Sequence, residues 1–215
     1  NAISYAPNAS VFVVKDVASL KEFAAQAATL DKDVLFVADV DMTGEAWTPI
    51  EGYAGTVLGN GYAIKGLTAP LFGTTSASIK GLHLEDVVLN SNDNPNMGAL
   101  ACKLTATNEV VPVIEHCSVS GTLTVENTTI APTARVDFAY GALVGLSLGA
   151  NLDECVNNAT ITVKQVTAAG NETTLPLVVV GGIAGSLDIF TKTDKAILYS
   201  TLCNSKNNGA VSYED

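Results

Sequence analysis

Hydrophobic and polar residues alternate with a period of two along most of this chain, and the alternating stretches recur. Gly98-Ala99-Leu100-Ala101 precedes the alternating run Ile114 to Val125, Gly141-Ala142-Leu143-Val144-Gly145 precedes Leu152 to Val163, and Gly181-Gly182-Ile183-Ala184-Gly185 precedes Leu202 to Tyr213. A fainter copy joins Pro70-Leu71-Phe72-Gly73 to Ile79 through Leu89. Runs such as Thr122-Leu123-Thr124-Val125 and Ala159-Thr160-Ile161-Thr162 place their aliphatics on one face, as a strand with one buried side must. Aligning Ile79, Ile114, Leu152 and Leu202 gives separations of 35 (114 − 79), 38 (152 − 114) and 50 (202 − 152) residues. Constant content at variable spacing describes loops of unequal length hung on one repeated strand layout. A solenoid must reuse such a motif, because each coil buries its apolar edge only against the coils above and below. The pattern therefore predicts parallel coils over residues 34–213, with equivalent aliphatics stacked roughly 4.8 Å apart and Cys117 lying over Cys155.

One segment has the period of a helix. Leu20, Phe23, Ala24, Ala27 and Ala28 fall on one helical face, and Ser19-x-x-Glu22 reads as a capping box. Strands are predicted after it at Val34 to Val37, Thr56 to Leu58 and Tyr62 to Lys65. An uncovered first coil would offer its edge to other chains, so a helical cap over residues 16–30 is the expected remedy. Ordinary packing of a helix on a sheet would produce the same stripe.

Composition narrows the classes of function. The chain has 215 residues, 47% of them hydrophobic and 15% charged, with 18 Gly. That is too apolar for disorder and suits a single β-helix domain over residues 1–215. Its longest uncharged stretches carry glycines and fall short of the roughly 20 residues of a membrane helix, so no membrane-spanning segment is expected. A net charge of −11 repels phosphate backbones, which excludes nucleic acid as a natural partner. The four cysteines, Cys102, Cys117, Cys155 and Cys203, form no C-x-x-C pair, and they read as free thiols rather than metal ligands. No phosphate loop, nucleophile elbow or triad accompanies His83 or His116, so no cofactor is expected and no catalytic residue is assigned.

Further runs carry a resemblance: Leu20-Lys21-Glu22-Phe23-Ala24, Val37 through Gly44, Trp47-Thr48-Pro49-Ile50, Leu58 through Leu67 and Leu71-Phe72-Gly73. Together they resemble the N-terminal part of bacterial cell-surface proteins with a right-handed parallel β-helix. The later Gly-Ala-Leu-Val-Gly and Gly-Gly-Ile-Ala-Gly segments resemble the GLUG-type repeats of adhesins and surface-anchored proteases. The last repeat departs from the pattern, since Cys203 stands two places before the aligned cysteine position, which Ser205 occupies. The fold expected is all-β, a single-stranded right-handed parallel β-helix with an N-terminal capping α-helix. The resemblance implies an extracellular or cell-surface location in a bacterium and a non-enzymatic module for adhesion or contact with a carbohydrate or a host or surface protein. A monomer is expected. A polysaccharide lyase or glycoside hydrolase of the β-helix class is the alternative, and a structural stalk of a longer surface protein is a second one.

In this register Glu115 and Asp153 occupy equivalent positions, with His116 level with Glu154, and these four are the candidate ligand-binding residues. Stacked carboxylates would repel, raising one pKa or attracting a cation; a solvated acidic face explains the same letters. Asp39 and Asp41 share a strand face, where they could hold calcium or cap backbone amides. Asn90 through Asn96 reads as a polar loop. Trp47, Tyr53 and Tyr62 could form a sugar-stacking platform or pack inward. Asn8, Asn127, Asn158 and Asn171 match the N-glycosylation pattern, as an Asn/Thr-rich β-protein does by chance. The final coil lacks a helix to close it, so the insertions Lys164 to Pro176 and Asp188 to Lys195 are expected to fold over that end, unless a further domain sits there.

Overall fold

The computed structural model describes residues 10–92, 94–127, 138–165 and 178–214. Its strands stack into four sheets around one elongated core. The first sheet stacks Phe12–Val14, Val34–Phe36, Thr56–Leu58, Ser78–Lys80, Val113–Glu115, Asn151–Asp153 and Thr201–Cys203. The second runs through Phe72–Thr75, Ala101–Thr105, Val144–Leu148 and Ala184–Thr191. The third contains Val40–Asp41, Ala63–Lys65 and three strands of ten residues, His83–Asn92, Ser118–Asn127 and Val156–Gln165. A fourth, small sheet stacks Asn96–Met97, Phe138–Gly141 and Val178–Gly181. From Val34–Phe36 to Ala184–Thr191, successive strands of the chain belong to different sheets, while neighbours within a sheet come from successive coils. That is a parallel β-helix.

The ladder inferred from spacing is present in register. Ile114 pairs with Ile79 on one side and Leu152 on the other, and Leu152 pairs with Leu202. Ser118 pairs with Val156, which places the preceding residues Cys117 and Cys155 on adjacent coils. Both are buried, and all four cysteines are free thiols. Each Sγ donates to backbone carbonyls, that of Glu115 at 3.3 Å from Cys117 and that of Asp153 at 3.4 Å from Cys155. Leu202 keeps its place despite the shifted cysteine because Ser205 fills the vacated position. Its Oγ accepts from the Cys155 amide at 3.0 Å and donates to the Cys203 carbonyl at 2.7 Å.

The helix spans Val17–Gln26 and starts three residues earlier than the expected box. Asp16 is the N-cap: its Oδ1 accepts from the Ser19 amide at 2.8 Å, and Ser19 Oγ accepts from the Asp16 amide at 3.0 Å. The reciprocal pair is thus Asp16-x-x-Ser19, because a carboxylate is already in place one turn ahead of Ser19. Leu20 and Phe23 point into the core, and Ala27 follows them in the short 3-10 turn Ala27–Thr29. Phe23 lies against Phe12, Tyr53 and Phe72. The strand Phe12–Val14, which the hydrophobic pattern did not show, precedes the helix and lengthens the first sheet by pairing with Val34–Phe36.

Asn90 and Asn92 belong to the strand His83–Asn92, not to a loop. Pairing with Ser118–Asn127 satisfies their backbone, and alternation turns Ser91 inward, where it is buried. At the far end, Asp188 to Thr191 extend a strand that pairs antiparallel with Ile197–Tyr199, in contrast to the parallel pairs elsewhere. This hairpin lies beyond Ala184 to Asp188, the part of the strand that pairs with Val144–Leu148. The other insertion lies outside the described residues beyond Gln165. Leu202 and Val211 hold ladder positions equivalent to the fully buried Leu152 and Ile161, yet are 39% and 40% exposed. The last coil is therefore open at those positions.

Candidate functional site

The four later coils pass from the first sheet to the third through a two-residue corner: Gly81-Leu82, His116-Cys117, Glu154-Cys155 and Asn204-Ser205. The first residue of each corner is left-handed, with φ of 61° at Gly81, 52° at His116, 49° at Glu154 and 46° at Asn204. The bend turns the side chain of His116, Glu154 or Asn204 outward and sends the next one, Leu82, Cys117 or Cys155, into the core. Non-glycine residues resist this conformation, but amide ladders continue through the corner. The Gly81 amide donates to the Glu115 carbonyl at 2.8 Å, and the His116 amide to the Asp153 carbonyl at 3.2 Å.

Glu115, His116, Asp153 and Glu154 consequently lie together on one outward ribbon, as their register requires. Glu115 and Asp153 are paired positions on adjacent coils. His116 Nδ1–H donates to Glu154 Oε2 at 2.7 Å, and its Nε2 is 3.7 Å from Glu115 Oε1. Lys80 Nζ stands 3.4 Å from Glu115 Oε2, and Asn204 Nδ2 donates to Asp153 Oδ1 at 2.9 Å. Every carboxylate in the row thus faces a donor from a neighbouring coil. These partners link coil to coil in open solvent, where each pair contributes well under about 1 kcal/mol. Among the described residues, no group of three or more His, Cys, Asp or Glu is arranged to hold a metal ion.

The other candidates resolve individually. Asp39 Oδ1 accepts from the Ala63 amide and Asp41 Oδ1 from the Thr43 amide, both at 2.9 Å, so both acids cap backbone. The Thr43 hydrogen bonds hold the Asp41 carboxyl below its ordinary pKa. Tyr53 is buried, its hydroxyl donating to the Lys32 carbonyl at 2.9 Å, so the three aromatics form no common platform. Trp47 is half-buried, pinned by a 3.0 Å bond from its indole N–H to the Pro70 carbonyl. Asn158 points outward and meets Asn208 at 2.9 Å; Asn8 and Asn171 lie outside the described residues.

Sequence reasoning missed a channel beside the helix. A hollow of about 570 Å³ is lined by Ala24, Ala28, Trp47 and Pro49 among others. A second of about 350 Å³ shares Thr48, Pro49 and Glu51 with it and continues to Thr74, Asn96 and Lys103. Its parts come from five separated segments, so no single local pattern signals it.

Fold and ribbon together define a class: a parallel β-helix with a helical cap, whose outward charges join coils rather than converge on a reacting atom. Residues 24–121 match a protein family described as the M26 IgA1-specific metallo-endopeptidase N-terminal region. In three dimensions the chain is similar to a proposed immunoglobulin A1 protease from Bacteroides ovatus, with a TM-score of 0.62 and 16% identity over 95% of this chain. That similarity is one of fold, and the chain spans 64% of the length of that protein. No curated protein matches the chain. Among the described residues none are grouped as a peptidase metal centre would require. The chain's two His stand on different coils, and His83 Nδ1 is 2.7 Å from Ser118 Oγ.

Proposed function

We propose that the chain is a non-catalytic module of a bacterial secreted or surface protein, a monomer that makes contact with a carbohydrate or a host protein. The observation that carries this reading is the ribbon itself. A β-helical lyase or hydrolase needs carboxylates, or a cation with a base, gathered around a bound sugar. Glu115, Asp153 and Glu154 are instead engaged by Lys80, Asn204 and His116 on an exposed surface. The match of residues 24–121 supports a place within a protein of the immunoglobulin protease kind. Beads coated with the purified chain should adhere to surfaces bearing host glycoproteins. Adherence no better than that of albumin-coated beads would overturn the proposal.

A stalk is the second reading, favoured by the exposed ladder residues Leu202 and Val211. A further unit stacked there would complete the burial their counterparts already have. Light scattering on the eluting chain distinguishes the two. A monomer at high concentration supports a self-contained module, whereas end-to-end association abolished by Val211→Asp supports stacking.

A further inference from the structure

The channel beside the helix carries an inference that deepens the contact reading and rests on it. Its floor crosses successive coils. Ile50 bridges to Phe72, so Glu51 lies beside Gly73, and Thr74 pairs with Lys103 one coil further on. The groove therefore runs along the solenoid axis and advances by about 4.8 Å per coil.

Two parts of its wall are preorganised. Trp47 lines the apolar end, its ring held by the hydrogen bond to Pro70. At the other end Glu51 folds back over Gly73, where a Cβ would overlap the carboxylate, and its Oε2 accepts from the Thr74 amide at 2.8 Å. Thr48, Thr74, Asn96 and Lys103 line the same hollow. A mostly apolar wall that includes Trp47, with a few side-chain donors and acceptors along it, matches a ligand with apolar ring faces and hydroxyls at their edges.

A peptide would be held differently. Docking along a sheet uses unpaired backbone N–H and C=O groups, and here Phe72–Thr75 is already paired with Ala101–Thr105 and bridged to Ile50. The net charge of −11 disfavours sulfated or uronic-acid chains. We propose that this groove binds a neutral oligosaccharide, with one sugar ring on Trp47 and the following residues hydrogen-bonded to Glu51, Thr74, Asn96 and Lys103.

The chain contains a single tryptophan, so its fluorescence reports on this groove. Chitotetraose, cellotetraose and mannotetraose are titrated into the intact chain, with a proline-rich peptide as a fourth arm. The expected result is a saturable shift of the emission with at least one sugar. Thr74→Val and Lys103→Ala should each weaken it about tenfold, while melting at the parent temperature. Trp47→Phe keeps packing at that position, and binding by calorimetry should fall without loss of the fold. No shift with any sugar, or a shift with the peptide alone, overturns the proposal. If the emission stays still while coated beads adhere, the groove assignment fails and the contact reading stands; if adherence fails as well, both fall.

Discussion

Replacing Phe23 by Ala removes the largest side chain that the helix contributes to the first coil. The ring is 1% exposed and meets Tyr53 edge-on at 5.0 Å, with Phe12 and Phe72 at 6.1 and 6.3 Å. Truncating a buried Phe costs about 3 to 5 kcal/mol, through lost burial and the cavity that remains. The three ring neighbours sit on different elements and cannot all collapse inward, and aromatic pairs add about 0.5 to 1.5 kcal/mol each. The loss should therefore lie at the upper end, about 4 to 5 kcal/mol, or a fall in melting temperature of about 10 °C or more. Because coils are coupled mainly to their neighbours, amide exchange should quicken around Val14 and Phe36 before it changes around Leu152. Phe23→Asp should go further, burying an unpaired charge and baring the first-coil edge, so that the protein aggregates. Urea denaturation and exchange mass spectrometry provide the readout. A loss below about 1 kcal/mol, or a soluble Phe23→Asp monomer with unchanged melting, would refute the helix as a cap.

Alkylation under denaturing, non-reducing conditions should label all four cysteines; under native conditions at mildly alkaline pH exposed Cys203 should react first, because burial pushes Cys117 up to about 12 and Cys102 and Cys155 to about 11. Equal native labelling would contradict this. Gly98→Ala should cost about 1 to 3 kcal/mol, since its Cβ would lie 2.5 Å from the Leu143 carbonyl oxygen and 2.6 Å from Val144 Cα; denaturation at the parent midpoint would contradict it. Asn157→Ala should cost about 1 to 3 kcal/mol, because the buried amide accepts from the Ala159 amide at 2.7 Å and donates to Asn207 at 2.7 Å; a neutral result would show that this polar ladder is dispensable. Hydrogen bonds from Ser19 hold the Asp16 carboxyl below its ordinary value of 3.8. Its contribution is thus present above that pH and lost as pH falls through the lowered folded value. The stability gap between the parent and Asp16→Ala should narrow on acidification, and a gap independent of pH would reject the cap.

The ladder was legible because Ile79, Ile114, Leu152 and Leu202 repeat one aliphatic position, and strand pairing preserves whatever burial selects. The ribbon followed from the same register. The start of the helix was not, since Asp16 and Ser19 compete for the same capping geometry and only the chain's path decides between them. Phe12–Val14 is too short for periodicity to reveal. Asn90 to Asn92 read as a loop because polarity favours turns locally, whereas pairing with Ser118–Asn127 overrides that preference. The channel arises from segments distant in sequence, and no local pattern encodes their convergence.

Most direct for the claim that this surface makes contact without chemistry is one experiment that records binding and turnover on the same samples. The chain is incubated with neutral polysaccharides and with host glycoproteins, and bound ligand is measured alongside newly released reducing ends and peptide fragments. Saturable binding is expected, with product no higher than a buffer blank. Product above the blank that disappears in Glu115→Gln or Asp153→Asn would contradict it and make the ribbon an active site.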